Sequence, residues 1–505
     1  MTLPRWRVLV ANRGEIALRI VRACRDEGLE SVAVYSDADR DAPFVRAADR
    51  SVRIGPAAPA ESYLHIGRLI AAARESGADA VHPGYGFLSE RAAFAEAVTS
   101  AGLAFVGPPA SAIAAMGDKT SARRLMAGAG VPIVPGSKGK LGDPAEAAAV
   151  AEGLGFPVLV KAAAGGGGKG MRVVHDPRDL PAALVAASSE ASKSFGDGAV
   201  YLEKYIDRPR HVEIQVLADH LRTIHLGERE CSIQRRHQKL VEESPSVAVT
   251  PALRERMGAA AVAAATAVGY RGAGTCEFLL GSDGEFYFLE MNTRIQVEHP
   301  VTEEVYGIDL VREQLRIVRG LPMSVPEGPV TPRGWAIECR ITSEDPANGL
   351  LPSAGTIRWM RIPSGPGVRW DSGVEAGSEV TLYYDSMLAK LIAHGADRER
   401  TIDVMQRALA ELVIVGVATN VPFHRRLLAD ADFIAGAVDI QFLERRPDLL
   451  VPVDDDASMA RLAVVAALLA EERRTSRRLP AGAPRAADNA GASLWTQAAR
   501  RDALR

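Results

Sequence analysis

The stretch 161-KAAAGGGGKGMR-172 joins two apolar runs, FPVLVKA and GMRVV, which have the composition of β-strands. It contains a literal G-x-G-x-x-G, but a dinucleotide fingerprint runs from a strand into a helix, and here a second strand follows. Met171 follows the last glycine, where a Walker A loop requires lysine. A glycine loop between two strands is a hairpin tip whose bare N–H groups can close over phosphates, and Lys161 and Lys169 flank it. We therefore favour a phosphate-binding loop over a solvated surface loop.

Upstream of this loop, the first hundred residues alternate between strand and helix patterns. The strand-like runs are WRVLVAN, LESVAVYS, ADAVHPG and LAFVGP, and the helices between them end at Gly28, at Gly77 and near residue 102. This alternation predicts a parallel sheet with right-handed helical crossovers. Downstream, TCEFLL and EFYFLEMN form a predicted hairpin across GSDG, and a segment rich in Pro and Gly near 320–334 marks a boundary before further short strands. The sequence therefore predicts an α/β protein.

Composition narrows the functional class. A chain of 505 residues is too long for one hydrophobic core, and 47% hydrophobic with 24% charged residues is ordinary globular composition. The net charge of -3 favours neither nucleic acid nor a membrane surface as partner. Four cysteines without a C-x-x-C pair suit a reducing compartment, and no apolar run approaches the roughly 18 residues of a membrane span. We expect a cytoplasmic protein.

The predicted hairpin carries a candidate metal site. Glu290 and Asn292 lie two apart on one strand and share a face, and a regular antiparallel register sets Glu277 diagonally across from Glu290 on that face. Neighbouring carboxylates repel each other unless a cation bridges them, and hard oxygen ligands suit Mg²⁺ that carries ATP phosphates. Two solvated glutamates on an exposed face are the alternative, which the nearby phosphate loop disfavours.

Two further stretches carry polar candidates. In MNTRIQVEHP, Arg294 offers a planar fork for a small oxyanion, Gln296 adds a neutral donor and Glu298 is a candidate base. The stretch 228-ERECSIQRRHQK-239 concentrates charge, which by itself indicates a solvated face, and His237 alone is more typical of a structural histidine.

Together these stretches resemble the biotin carboxylase family, within the ATP-grasp superfamily, from about residue 5 to 447. The resemblance rests on the joint occurrence, in order, of ANRGEIALR (11–19), HPGYGFLSE (82–90), GDK (117–119), KAAAGGGGKGMR (161–172), EKYIDRPRHVEIQV (203–216), ERECSIQRRHQK (228–239), EMNTRIQVEHPVTE (290–303), ECRI (338–341) and YYDSMLAKL (383–391).

The resemblance implies a role for each matching residue. It implies ATP binding by Lys119, Lys161, Gly166, Gly167, Glu203, Lys204, His211, Gln234 and His237. It implies a metal, Mg²⁺ or Mn²⁺, held by Glu277, Glu290 and Asn292. It implies bicarbonate binding by Lys239, Arg294, Gln296, Val297 and Glu298, and biotin binding by Tyr85, Gly86 and Arg340. The implied catalytic residues are Arg340, Glu298, Lys239 and Arg294.

The resemblance also implies a domain organisation and a reaction. The expected units are a Rossmann-like N-terminal parallel sheet (1–117), an ATP-grasp domain (118–330) with a mobile lid at about 130–205, a C-terminal mixed α+β domain (331–450), and a helical then disordered tail (451–505). The implied activity is ATP-dependent carboxylation of biotin through carboxyphosphate. None of the eleven methionines is followed by lysine, so the chain lacks the Met-Lys-Met type segment that carries biotin in multidomain relatives.

The implied partners are a separate biotin carboxyl carrier protein, carboxyltransferase subunits of an acetyl-CoA or other acyl-CoA carboxylase of fatty acid biosynthesis, and a second copy in a homodimer. Another ATP-grasp ligase that forms an acyl or carbamoyl phosphate is one alternative, which HPGYGF and ECRI disfavour. A catalytically silent subunit is the other alternative, which the presence of every catalytic candidate disfavours.

Overall fold

The computed structural model describes residues 6–137, 139, 141, 144–162, 171–195, 198–328, 330–451, 464, 467 and 468. The chain divides into two compact units, residues 1–452 and 453–505. The glycine loop and most of the predicted tail lie outside the described residues. In the second unit, the described residues 464, 467 and 468 are helical.

The first unit begins with a five-stranded parallel sheet, in the strand order β3-β2-β1-β4-β5. Its elements are β1 (Arg7–Val10), α1 (Gly14–Asp26), β2 (Glu30–Ser36), α2 (Pro43–Ala47), β3 (Arg50–Gly55), α3 (Ile66–Ser76), β4 (Ala80–His82), α4 (Ala92–Ser100), β5 (Ala104–Phe105) and α5 (Ala110–Gly117). Val8, Leu9 and Val10 of the central strand are completely buried, because helices cover both faces of a parallel sheet. The predicted parallel sheet is confirmed, and β3 is an edge strand that the sequence pattern did not predict.

A small antiparallel sheet follows, in the order β7-β6-β8. The elements of this part are α6 (Lys119–Gly128), α7 (Pro144–Leu154), β6 (Val158–Ala162), β7 (Arg172–Val174), α8 (Leu180–Phe195) and β8 (Val200–Lys204). It has its own core, in which Val158, Val160 and Leu202 are fully buried. The strands predicted on either side of the glycine loop are therefore present and antiparallel.

The largest sheet has eight antiparallel strands in the order β13-β12-β9-β10-β11-β14-β21-β19. Its first elements are β9 (Arg210–Ala218), β10 (Thr223–Arg235), β11 (Gln238–Ser244), α9 (Pro251–Ala267), β12 (Gly272–Leu280), β13 (Phe286–Asn292), α10 (His299–Tyr306) and α11 (Leu310–Val318). The elements beyond residue 330 are β14 (Trp335–Thr342), β15 (Glu344–Asp345), β16 (Leu351–Pro352), β17 (Gly355–Thr356), β18 (Trp359–Arg361), β19 (Val368–Ser372), β20 (Glu379–Val380), β21 (Met387–Gly395), α12 (Arg398–Glu411), β22 (Val413–Val415), α13 (Val421–Leu428), α14 (Ala431–Ile434) and α15 (Phe442–Arg445).

This large sheet crosses the boundary expected near residue 331. Strand β11 pairs with β14, so that Val241 lies opposite Cys339 and Ser244 opposite Ala336. One face of β14 and β21 packs on α12 through an apolar core that contains Ile337, Ile341, Leu391 and Met405. The other face of these strands carries charged residues, and α10 packs on it.

No helix in the described part of the chain is long and apolar enough to cross a membrane. All four cysteines are buried and free.

Candidate active site

The β12–β13 hairpin places Glu277 directly opposite Glu290. The sequence-based register had Glu277 diagonally across, and that register is wrong in two places. Leu280 pairs with Phe286 instead of Glu285, and the extra residue Leu289 forms a bulge in β13. Each change shifts the pairing by one residue, so together they keep the two glutamates on one face and bring them into direct opposition.

Strand β11 brings the ammonium group of Lys239 into a cage of three carboxylates. Lys239 Nζ lies 2.6 Å from Glu213 Oε2, 3.0 Å from Glu277 Oε1 and 2.6 Å from Glu298 Oε1. The strand begins just after a tight turn, in which Arg236 and His237 adopt left-handed backbone conformations with φ of 50° and 64°. The single ammonium group of Lys239 is therefore shared by three carboxylates that come from three separate parts of the chain.

The charges of this cage set its ionisation. Burial by itself would raise the pKa of Glu298 and nearby Glu213 would raise it further, but Lys239 and Arg340 lower it below the usual range. Burial would likewise raise the pKa of Glu213, and Lys239 and Arg229 bring it well below its ordinary value. Burial lowers the pKa of His211, yet the carboxylate of Glu277 more than offsets this and the pKa rises to about 9. The carboxylates are therefore ionised at neutral pH.

Glu298 joins this cage to Arg340. It is fully buried at the N-terminus of α10, and its second oxygen, Oε2, accepts a 3.1 Å hydrogen bond from Arg340 Nη2. Arg340 on β14 also donates through Nε to Glu242 Oε1 at 2.6 Å. Each oxygen of Glu298 thus has one cationic partner. Two cations therefore compensate the charge of the ionised carboxylate, which can then accept a proton.

Arg294 fastens the loop that follows β13. Its guanidinium donates to Asn292 Oδ1 at 2.8 Å, to Gln296 Oε1 at 2.9 Å and to Glu90 Oε2 at 2.9 Å. Gln296 Nε2 in turn donates to Glu277 Oε1 at 2.9 Å. The structure therefore joins Glu277 and Asn292 of the predicted metal site to the predicted bicarbonate residues Arg294 and Gln296 in one hydrogen-bond network.

The predicted biotin residues connect to this network through Lys390. The hydroxyl of Tyr85 donates to the buried carboxylate of Glu15, which lies 3.2 Å from Lys390 Nζ. Lys390 Nζ also donates to the Val297 carbonyl at 2.8 Å. Burial and the neighbouring Glu15 raise the pKa of Tyr85 well above its ordinary value, so its hydroxyl remains protonated. The next residue, Gly86, has φ of +68°, which glycine adopts without strain.

Two of the predicted nucleotide residues, Lys161 and Glu203, form a second cluster at the lid strands. Lys161 Nζ lies 2.5 Å from Glu203 Oε2, and Arg123 Nη1 pairs with the other oxygen of Glu203. The ammonium group of Lys204 instead donates to the carbonyl of Gly155 at 2.7 Å. His211 instead lies beside the carboxylate cage of Lys239, where its Nε2 is 3.3 Å from Glu277 Oε2.

The remaining predicted nucleotide residues lie apart from this cluster or outside the described residues. Gln234 lies at the end of β10, half-buried, and His237 is exposed in the turn after it. Lys119 begins α6, but its side chain lies outside the described residues, as do Gly166 and Gly167.

Several residues that complete the site were not predicted from the sequence: Glu90, Glu213, Arg229, Glu242 and Lys390. All except Glu242 lie inside the quoted motifs. The guanidinium of Arg229 is completely buried and donates to Glu213 Oε1 at 2.6 Å and Gln215 Oε1 at 2.6 Å. The available signal was the charge of Arg229 within a strand otherwise rich in buried residues. A buried charge requires a partner, so such a residue indicates a carboxylate nearby.

The hairpin residues also satisfy the chemistry of the expected metal. Glu277, Glu290 and Asn292 offer only oxygen ligands on adjacent strands, which is the donor set that Mg²⁺ prefers. Donor atoms of His211, Glu213 and Glu277 also lie within 4.8 Å of one another, but the ammonium of Lys239 already contacts two of these residues. Glu277, Glu290 and Asn292 stay the predicted ligands of the divalent ion.

Comparison with known protein families supports the resemblance stated above over most of the chain. Residues 5–113 match the family model of the biotin carboxylase N-terminal domain, and residues 338–445 match that of the biotin carboxylase C-terminal domain. Residues 118–325 match the ATP-binding domain of the carbamoyl-phosphate synthase L chain. The chain belongs to the biotin carboxylase family.

The similarity extends over nearly the whole length of individual relatives. The biotin carboxylase of Haemophilus influenzae is 52% identical over 442 residues, which are 87% of this chain and 98% of the relative. Biotin carboxylase 1 of Bacillus subtilis is 52% identical over 440 residues, which are likewise 87% of this chain and 98% of the relative.

Solved structures of the biotin carboxylase family share the fold. A biotin carboxylase–β,γ-ATP complex from Campylobacter jejuni superposes with a TM-score of 0.82 at 46% identity, covering 87% of this chain and 98% of that one. The biotin carboxylase domain dimer of Hydrogenobacter thermophilus 2-oxoglutarate carboxylase, in complex with MgADP, ADP and bicarbonate, has a TM-score of 0.82 at 45% identity, covering 89% and 99%. The expected family, α/β fold class and enzyme class are confirmed, whereas the individual site assignments stay predictions.

Proposed function

We propose that this protein uses Mg-ATP and bicarbonate to carboxylate biotin that is attached to a separate carrier protein. The observation that carries the proposal is the position of Glu298, a buried carboxylate held between Lys239 at 2.6 Å and Arg340 at 3.1 Å. A base that must remain ionised in a buried site requires such cations, and both also suit the anionic substrate and the anionic form of biotin.

The residues around Glu298 account for the activation of bicarbonate. Glu298 takes the bicarbonate proton as bicarbonate attacks the γ-phosphoryl group of ATP, because its lowered pKa keeps it ionised beforehand. Arg294 and Lys239 offset the charge of the bound anion, and Gln296 supplies a neutral donor. A Mg²⁺ ion held by Glu277, Glu290 and Asn292 would supply further positive charge for the phosphates.

Arg340 serves the second half of the reaction. Attack of bicarbonate on ATP releases ADP and forms carboxyphosphate, which breaks down to CO₂ and phosphate. Phosphate takes the N1′ proton of biotin, negative charge develops on the ureido oxygen, and N1′ then attacks CO₂. A guanidinium remains charged at any working pH, and Arg340 is fixed at the end of the site next to Glu298. Tyr85 and Gly86 lie on the loop that Glu15 and Lys390 connect to this region, and we assign them to the ureido ring.

The nucleotide is assigned to the cluster at the lid. Lys161 would exchange its contact with Glu203 for ATP phosphates, and Glu203 and Lys204 lie where β8 ends at the hinge between the small sheet and β9. The lid of about residues 130–205 would close over the phosphates and exclude water from carboxyphosphate, an intermediate that water hydrolyses.

The partners and the compartment follow from the same proposal. The absence of a Met-Lys pair from the sequence supports a separate biotin carboxyl carrier protein, with carboxyltransferase subunits that use acetyl-CoA or another acyl-CoA. A homodimer is supported by the dimeric domain among the related structures. Four free buried cysteines suit the reducing cytoplasm.

The test measures phosphate release from Mg-ATP by the purified protein, with bicarbonate present or absent and with free biotin added or omitted. We expect a rate that requires bicarbonate and rises with biotin. Glu298→Gln should abolish it, and Glu243→Gln, on the same sheet but bound to Arg398, should not. Release that needs bicarbonate but ignores biotin would favour another ATP-grasp ligase, and ATP binding without release would indicate a catalytically silent protein.

A further inference from the structure

Two glutamates that the proposed chemistry does not use lie beneath Arg340. Glu242 of β11 and Glu338 of β14 are both completely buried, and they are directly opposed across the antiparallel pair. Directly opposed side chains have Cβ atoms about 4.5–5.5 Å apart, and like charges in such positions repel each other. Two ionised carboxylates are therefore not stable there, and the pair must hold a proton.

The hydrogen bonds show which of the two keeps the proton. Glu242 Oε1 accepts from Arg340 Nε at 2.6 Å, so Glu242 has a cationic partner that favours its ionised form. Neither oxygen of Glu338 has a hydrogen-bond partner among the described residues. An unpartnered carboxylate in a fully buried position is far less stable than the neutral acid.

The surrounding charges also favour loss of the proton by Glu242 before Glu338. Charged and titratable groups near the pair are Lys239, Arg340 and Lys390, with the acids Glu15 and Glu298 and the neutral Tyr85, Cys231 and Cys339. Burial raises the pKa of Glu338 well above its ordinary value although Lys390 opposes the shift. Burial raises the pKa of Glu242 to about 7, and Arg340 opposes it.

The contacts of Arg340 explain why the proton matters. Its backbone carbonyl is fixed by hydrogen bonds of 2.8 Å from Asn420 and 2.8 Å from His424, so only the side chain is free to move. That side chain is held by Glu242 on one side and Glu298 on the other. A second negative charge on Glu338 would draw the guanidinium deeper, away from Glu298.

We propose that Glu242 is a positioning residue for Arg340, and that Glu338 retains a proton beside it so that the pair carries a single negative charge. The inference rests on the proposed function only for the role of Arg340 toward biotin. When Glu338 loses its proton to solvent at high pH, Arg340 leaves its position and biotin carboxylation declines, while bicarbonate-dependent ATP cleavage without biotin continues.

The first test requires no activity. Infrared spectra of the parent protein at pH 8, above the pKa of Glu242, should contain a protonated-carboxyl C=O band that Glu338→Gln weakens and Glu243→Gln leaves unchanged. The raised pKa means that Glu338 stabilises the folded state below the ordinary glutamate pKa and that this stability is lost as pH rises through the folded pKa. The melting temperature of Glu338→Gln relative to the parent should therefore increase with pH. A carboxyl band as strong in Glu338→Gln as in the parent would overturn the proposal.

The second test follows phosphate release from pH 6 to 10 with and without biotin. Glu338→Gln should keep the parent's activity near pH 7 and lose the decline at high pH, because glutamine imitates the neutral acid. Glu242→Gln should lower kcat/KM for biotin at least tenfold above pH 7 and less at pH 6, and it should lower the biotin-independent rate by a smaller factor than kcat/KM for biotin. Failure of Glu338→Gln to fold, or an unchanged kcat/KM in Glu242→Gln, would contradict the proposal. If the parent itself ignores biotin, the proposed function fails while the infrared result still decides the position of the proton.

Discussion

Replacement of Lys239 by methionine tests the charge balance of the active site. The lysine side chain is 12% exposed, and its ammonium contacts three carboxylates, of which Glu213 and Glu298 are completely buried. Removal of one partner from a buried ion pair leaves an uncompensated charge and costs about 3–5 kcal/mol. Arg229 and Arg340 still contact Glu213 and Glu298, so we expect a loss within this range rather than a multiple of it.

The pH dependence of this loss separates charge from packing. Lys239 helps to hold the pKa of Glu298 and Glu213 below their usual range, so it stabilises the protein above about pH 4.3, the ordinary glutamate pKa, and the effect disappears as pH falls. Urea denaturation of Lys239→Met should show the full deficit at pH 7 and a smaller one at pH 3, below the ordinary glutamate pKa. Lys193→Met, at an exposed position on α8, is the control and should be neutral. A deficit below about 1 kcal/mol at pH 7, or one independent of pH, would refute the cage as a charge-balanced unit.

Three further predictions concern substrates. Arg340→Ala should nearly abolish biotin carboxylation while ATP binding, measured by calorimetry, survives; normal biotin turnover would exclude Arg340 from the biotin site. Glu290→Gln should raise the Mg²⁺ concentration for half-maximal ATP cleavage about tenfold, as expected for loss of a ligand contact worth about 1.4 kcal/mol, and an unchanged Mg²⁺ titration would remove Glu290 from the metal site. Arg123→Met should raise the KM for ATP, because Glu203 then loses its contact with Arg123 and holds Lys161 more firmly. An unchanged KM would contradict this competition for Lys161.

The parallel sheet could be predicted because each of its central strands is an apolar run next to a helix with a clear end. Gly77 illustrates the point: it has φ of 63°, and its N–H bonds back to the carbonyl of Arg74, so the glycine that marks the end of the helix in the sequence also ends it in the structure. Strand β3 (Arg50–Gly55) could not be predicted in the same way. It lies at the sheet edge with its first residues exposed, so it has no continuous apolar run.

The register of the β12–β13 hairpin could not be predicted, because it depends on single residues. The pattern of TCEFLL and EFYFLEMN identifies two strands, yet neither the five-residue connection from Gly281 to Glu285 nor the bulge at Leu289 has a distinct signature in the sequence. The continuation of the central sheet into β14 is a non-local pairing of the same kind. It explains why Glu242, which lies outside every quoted motif, was missed as the partner of Arg340.

The buried Lys390 links the loop assigned to biotin with the segment that carries Glu298. Lys390 is completely buried, and its ammonium is bound by Glu15 from the N-terminal sheet domain and by the backbone carbonyl of Val297. Glu15 in turn accepts from Tyr85, on the loop assigned to biotin. We therefore expect a shift of that loop to move Val297, one residue before the proposed base Glu298. Because of this connection, we expect biotin to accelerate phosphate release itself and not only to consume carboxyphosphate that has already formed.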